Sequence, residues 1–297
     1  MKTKEFIDPE LFARLSRLNL EAKNLMHGPF SGRHKSPNKG SSIEFAEYRK
    51  YVPGDDIRKI DWRIYARSDR YYVKEFEAET NLRCYIVLDC SGSMSFEGKD
   101  GSKFDFGRKI AASIGHVLTE QGDTVGLTAF NSRTFKQVPP RSSGKHLRSI
   151  YEILDVIKAD GKTAIAKVLH DLAASIQKRA LVVVISDFFH DVEPMLKALQ
   201  HLAHNKHDVT LFHLIDEEEV KFDFNQPYSF VDLEGGSTML ADPTTIRNQY
   251  LQAFGGYLKT FKERALKMNM DYRLAMLNEG CEDLLAKFLM ERIEGGK

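Results

Sequence analysis

The sequence predicts an α/β protein: a doubly wound, mostly parallel sheet flanked by helices, preceded by a small helix-plus-β subdomain. Three observations lead there. Apolar-rich runs of strand length occur at residues 83–88, 180–185 and 209–215, and runs apolar on both faces belong to strands buried between two helical layers. Each run is closed by an acid, Asp89, Asp187 or Asp216. Between the runs, apolar residues recur at helical spacing, and alternating strands and helices form a right-handed βαβ sheet.

The elements follow in order. Asp8 before Pro9 is a helix cap with proline at the first helical position. Leu11, Leu15, Leu18 and Leu25 give that helix its apolar stripe, and Gly28 is placed to end it. Residues 31–42 form a basic Gly/Ser/Pro-rich surface loop, without the interleaved aromatics of a nucleic-acid contact. Residues 43–81 read as a small β-rich subdomain laced with charge, with a turn at Pro53, Gly54 and Asp55 and a strand at 71–76. Trp62 and Arg63 there are residue types that anchor interfaces. Residues 1–80 are expected to form one unit and 81–297 the α/β domain.

In that domain Phe106, Ile110, Ile114, Val117 and Leu118 line the first helix, which Gly122 ends. A strand at 124–130 turns through 131–133 into another at 134–138. Leu147, Ile150, Tyr151, Leu154 and Ile157 mark a second helix; Ile165, Val168, Leu169, Leu172 and Ile176 mark a third, opened by Gly161, Lys162 and Thr163. Met195, Leu196, Leu199 and Leu202 mark a fourth. Glu217, Glu218 and Glu219 read as a solvated helix start or loop, and 222–236 as a short β-hairpin. Asp242 and Pro243 repeat the capping signal before a long helix through Tyr250, Leu251, Phe254, Leu258 and Phe261. A strand at 271–277 and a helix at 281–293 close the domain.

Composition excludes several classes. Lys+Arg 43 against Asp+Glu 42 gives net +1, so no global charge favours nucleic acid or an anionic membrane. Cys84, Cys90 and Cys281 form no metal-type pair and read as reduced thiols of a cytoplasmic protein. No apolar run reaches the length of a membrane span, and the N-terminal residues lack a signal-peptide core. Ser142-Ser143-Gly144-Lys145 lacks the earlier glycine and following hydroxyl of a phosphate loop. Zinc-hydrolase and nucleophile-elbow motifs are absent from the sequence.

The chemistry concentrates at Asp89-x-Ser91-x-Ser93. One carboxylate and two hydroxyls in a turn are hard oxygen donors, suited to Mg²⁺, Mn²⁺ or Ca²⁺. Taken singly, Asp89 would equally serve as a cap and the serines as turn residues. Parallel strands present their C-terminal ends at one sheet edge, which brings Thr163, at a helix start, and Asp187, at the end of a second buried run, to the same place. Two carboxylates and three hydroxyls leave room on a small dication for water or one outside ligand.

These residues resemble the Asp-x-Ser-x-Ser signature of von Willebrand factor A domains, followed in the expected order by Thr163 and by Ile185-Ser186-Asp187. The resemblance implies a von Willebrand A-like, Rossmann-like sheet and a metal-ion-dependent adhesion site. Ser91, Ser93 and Thr163 would coordinate Mg²⁺ through hydroxyls, Asp89 and Asp187 directly or through water, and the open position would take a partner's carboxylate. Glu44-Phe45-Ala46-Glu47-Tyr48-Arg49 and the segment from Pro53-Gly54-Asp55-Asp56 through Asp61-Trp62-Arg63 to Ala66-Arg67 resemble the bacterial domain-of-unknown-function 58 family. Members combine this segment with a von Willebrand A-like domain and are typically encoded beside MoxR-type AAA+ ATPases. The implied function is a non-enzymatic, Mg²⁺-dependent adaptor that works with such an ATPase and binds a client Asp or Glu. The alternative is a Mg²⁺-dependent phosphohydrolase with Asp89 as nucleophile, although the second acid such enzymes use is Ser91 here.

Overall fold

The computed structural model describes residues 6–26, 43–53, 57–78, 82–132 and 134–295. The chain divides into two compact units, one of Ser31–Asn81 and one of Met1–Phe30 with Leu82–Lys297. Helix α1 (Pro9–Met26) opens on Asp8, whose carboxylate accepts the N–H groups of Glu10 at 3.1 Å and Leu11 at 3.0 Å. Phe6, Leu11, Phe12 and Leu15 are buried in the core of the larger unit. The boundary expected at 80/81 falls at 81/82, but residues 1–30, expected with the smaller unit, group with the larger one. Leu11 and Leu15 of the stripe pack into the core of the α/β domain, so the helix belongs to that domain. Gly28, the basic loop 31–42 and residues 54–56 of the expected turn lie outside the described residues.

The smaller unit pairs β1 (Ile43–Lys50) antiparallel with β2 (Tyr72–Ala78). Between them lies helix α2 (Trp62–Ser68), where the sequence suggested only β structure. Its cause is local: Asp61 is a helix cap, accepting from the N–H groups of Arg63 at 2.9 Å and Ile64 at 3.3 Å. Tyr65 stacks on Tyr71 with ring centres 4.5 Å apart. Trp62 and Arg63 are both exposed.

In the larger unit β3 (Arg83–Asp89) leads through a small hairpin, β4 (Glu97–Gly98) and β5 (Gly101–Ser102), into α3 (Lys103–Glu120). Strands β6 (Thr124–Phe130) and β7 (Thr134–Arg141) and helices α4 (Gly144–Val156) and α5 (Ile165–Ser175) follow. Next come β8 (Leu181–Ser186), α6 (Val192–His204), β9 (Asp208–Ile215) and α7 (Glu217–Lys221). A hairpin of β10 (Tyr228–Val231) and β11 (Thr238–Ala241), then α8 (Pro243–Lys267), β12 (Asp271–Met276) and α9 (Cys281–Gly295), complete the chain. The hairpin lies later than the expected 222–236. Phe222 is instead drawn inward, stacking on Tyr250 at 4.1 Å.

The main sheet has the order β12-β9-β8-β3-β6-β7, parallel throughout except that β7 runs antiparallel to β6. Alternate residues feed two cores. Ile86, Leu88, Val183, Ile185, Phe212 and Leu214 pack with Ile110, Ile114 and Phe288. Val87, Val182, Val184 and Leu211 pack on the other face with Leu169, Met195, Leu199 and Phe261. Burial on both faces is why the strand sequences lack polar alternation. Among the described residues no helix is long and apolar enough to cross a membrane.

The β6–β7 ladder is irregular between Val125 and Leu127, opposite Pro139 and Pro140 of the edge strand. A Cβ on Gly126 would lie 2.7 Å from the Val138 carbonyl oxygen and 2.9 Å from the Pro140 nitrogen. Gly126→Ala is therefore expected to cost about 1–3 kcal/mol, the usual range for overpacking. A lower urea midpoint with unchanged slope would register it.

Candidate functional site

Strand order reverses between β3 and β8: the chain leaves β3 for α3 on one face of the sheet and β8 for α6 on the other. Diverging loops at such a switch point open a crevice beyond the C-terminal ends of the strands. The register pairs Leu88 with Ile185, so Asp89 and Ser186 end their strands side by side. Three loops meet there. The Gly92 N–H donates to the Gly161 carbonyl at 2.7 Å, the Asp160 N–H to the Cys90 carbonyl at 2.9 Å, and the Ala164 N–H to the Asn131 carbonyl at 2.9 Å.

The structure brings all five sequence-derived candidates together. Asp89 is 1% exposed. Its Oδ1 accepts the Ser91 N–H at 2.9 Å; its Oδ2 accepts the Ser186 hydroxyl at 2.7 Å and, more loosely, the Thr163 hydroxyl at 3.4 Å. The hydroxyls of Ser91 and Ser93 lie 3.1 Å apart, and Ser93 donates to Asp187 Oδ1 at 3.3 Å. Thr163 lies one residue before the N-cap of α5, which is Ala164, without a side-chain hydrogen bond. The Thr163 hydroxyl is thus left to face the carboxylates.

Several participants escaped the sequence. Ser186 anchors Asp89 as described. Lys103, 3% exposed, extends its ammonium to Asp187 Oδ2 at 3.1 Å and Glu219 Oε1 at 2.7 Å. Glu219 is therefore not solvated as expected; in the capping box of α7 its Oε2 also accepts the Asp216 N–H, at 3.0 Å. One signal marked Lys103: a cation in the first turn opposes the helix dipole and needs a local anion. Glu234, in the turn between β10 and β11, accepts the Thr163 N–H at 3.4 Å.

The electrostatics are uneven. Burial, reinforced by the charge of Asp187, pushes the Asp89 carboxyl up to about 7. Burial alone would lower Lys103, but Asp187 and Glu219 outweigh it and raise it. His213, buried in an aromatic cage with its Nδ1 2.9 Å from the Tyr272 hydroxyl, is held down at about 4 by desolvation. Asp187 thus has a buried cation beside it, whereas Asp89 has only neutral donors.

That asymmetry bears on a dication. Among the described residues no three His, Cys, Asp or Glu side chains gather as a metal cluster. The donors are two carboxylates and three hydroxyls, a hard and mostly neutral set that fits Mg²⁺ better than zinc. A cation beside Asp89 would offset the cost of burying its charge.

Comparisons with known proteins place these residues in a wider group. The family model described as "Protein of unknown function DUF58" matches residues 47–255, which include every site residue above. The chain is 30% identical over 221 residues to Rv1480 of Mycobacterium tuberculosis, covering 72% of this chain and 68% of that protein. It is 26% identical over 123 residues to YeaD of Bacillus subtilis, covering 41% and 28%. Among solved structures it is similar to an aerotolerance-related membrane protein from Bacteroides fragilis, with TM-score 0.47 and 18% identity over 72% of this chain and 99% of that one. It is also similar to BatB from Bacteroides thetaiotaomicron, with TM-score 0.47 and 15% identity over 72% and 99% of the two chains.

Proposed function

Since the chain belongs to the DUF58 family and its larger unit is a mostly parallel α/β sheet, we propose that it is a non-enzymatic protein-binding module that captures an acidic partner residue through a divalent cation. One observation carries the reading: Asp89, Ser91, Ser93, Thr163 and Asp187 converge at the switch point, joined to one another by hydrogen bonds. Ser91, Ser93 and Thr163 would hold Mg²⁺ through hydroxyls, and Asp89 and Asp187 directly or through water. Bound there, Mg²⁺, or Mn²⁺ or Ca²⁺ in its place, would offer a coordination position to a partner's Asp or Glu. Ser186 and the Ser91 N–H orient Asp89, while Lys103 fixes Asp187 and limits its charge. The loop hydrogen bonds hold the hydroxyls in place beforehand, which lowers the ordering cost of binding.

We further propose a MoxR-type AAA+ ATPase as a working partner, with a client supplying the carboxylate; the family resemblance supports this. A phosphohydrolase has less support. Asp89 is buried with both oxygens engaged, and the nearby imidazole of His190, three residues after Asp187, accepts the Asp191 N–H at its Nδ1 at 2.6 Å.

Thermal unfolding with and without Mg²⁺ or Mn²⁺ tests the cation site. At about a hundred times the dissociation constant the wild type gains about 2.7 kcal/mol, a rise of roughly 5–10 °C for a domain of this size. Asp89→Ala abolishes the rise. A wild-type midpoint indifferent to Mg²⁺, Mn²⁺ and Ca²⁺ would defeat the reading.

A further inference from the structure

The β10–β11 hairpin pairs only with itself among the described strands, and its tip reaches the candidate cation site. The tip is a hydrogen-bonded turn. The Asp232 carboxylate accepts the Glu234 N–H at 2.9 Å, and the Asp232 N–H donates to the Ser237 carbonyl at 2.8 Å. Backbone meets backbone at the site itself: a Cβ on Gly92 would lie 2.1 Å from the Leu233 carbonyl oxygen. The glycine between Ser91 and Ser93 thus makes room for the hairpin tip, a close approach that only glycine permits.

Glu234 is carried in by this contact. Its Oε2 accepts the Thr163 N–H at 3.4 Å, while its Oε1 is buried without a hydrogen-bond partner among the described residues. A half-satisfied carboxylate is costly to bury and is stabilised where a cation meets it.

In the cation-free fold Asp89, Asp187 and Glu234 are not gathered as a three-carboxylate cluster, but the geometry points to Glu234 as an internal ligand that a bound cation draws in directly or through water: the tip of the β10–β11 hairpin presents the carboxylate that a partner would otherwise supply. This rests on the cation-site reading above and deepens it. A partner Asp or Glu then binds by displacing Glu234, so the free protein is closed and binding lifts the hairpin. The hairpin suits that role. An isolated two-stranded ribbon is marginally stable by itself, and its base is held where Phe230 stacks on Phe222, which stacks in turn on Tyr250 of α8.

The test measures Mn²⁺ affinity by calorimetry and amide hydrogen exchange of residues 228–241 with and without Mn²⁺, on wild type, Glu234→Gln and Asp89→Ala. An internal ligand predicts that Mn²⁺ slows exchange at the hairpin in wild type but not in Glu234→Gln. It also predicts that Glu234→Gln weakens Mn²⁺ at least about tenfold, the loss that removing even an outer-shell group brings. Lost affinity without hairpin protection in wild type would mean a purely electrostatic effect and overturn the proposal. So would Mn²⁺ binding that is lost in Asp89→Ala but unchanged in Glu234→Gln, which leaves the cation site standing. No Mn²⁺ binding to wild type would remove both readings together.

Discussion

Lys103→Met is expected to destabilise the cation-free protein by about 3–5 kcal/mol, the range for breaking a buried ion pair by removing one partner. Lys103 and Asp187 are each 4% exposed as side chains, so neither charge has water to fall back on. Methionine keeps much of the stem's bulk, which isolates the loss of charge. Because Lys103 competes for Asp187, the same variant should bind Mg²⁺ more tightly than wild type and recover part of its stability when Mg²⁺ is added. Urea unfolding with and without Mg²⁺, together with calorimetric titration, reads both effects. Unchanged stability would show that the ammonium is not needed to bury Asp187. Unchanged affinity would show that it does not restrain the site.

Asp89→Asn should move stability the other way. The carboxyl is raised from an ordinary value of 3.8 to about 7, first by burial and then by Asp187. The folded state therefore holds its proton more tightly than the unfolded chain. The cost of Asp89 is absent below the unfolded pKa, grows as pH rises from about 4 to 7, and is complete above 7. At one pKa unit per about 1.4 kcal/mol it reaches the order of 4 kcal/mol. Without divalent cation, Asp89→Asn is expected to be more stable than wild type by that order at pH 8 and nearly equal to it at pH 4. Saturating Mg²⁺ at pH 8 should close the gap by stabilising only the wild type. Denaturation midpoints at the two pH values decide this, and a variant less stable than wild type at pH 8 would contradict it.

The sheet was legible because burial on both faces writes itself into Cys84–Leu88 and Leu181–Ile185 as unbroken apolar runs. The five site residues were legible because strand ends and helix starts bring them to one edge whatever the details. The remainder came from distant segments whose local sequence gives no direction. Glu219 looked like any acid in a charged helix start, yet Lys103 draws it in from a different element. Glu234 lies in a turn whose placement depends on the Gly92 contact, which no local pattern encodes. Helix α1 displayed its apolar stripe plainly, but a stripe does not say which neighbour covers it. The smaller unit hid α2 because Asp61 reads equally as a cap and as one more charge in a charged stretch.

Strand β7 carries a further consequence. Pro139 and Pro140 have no N–H to donate, and they stand where the ladder is already irregular at the sheet's antiparallel edge. Such an edge is a poor template for an incoming strand, whether from another copy of this chain or from an extended client peptide. Recognition by strand addition is therefore blocked along this border.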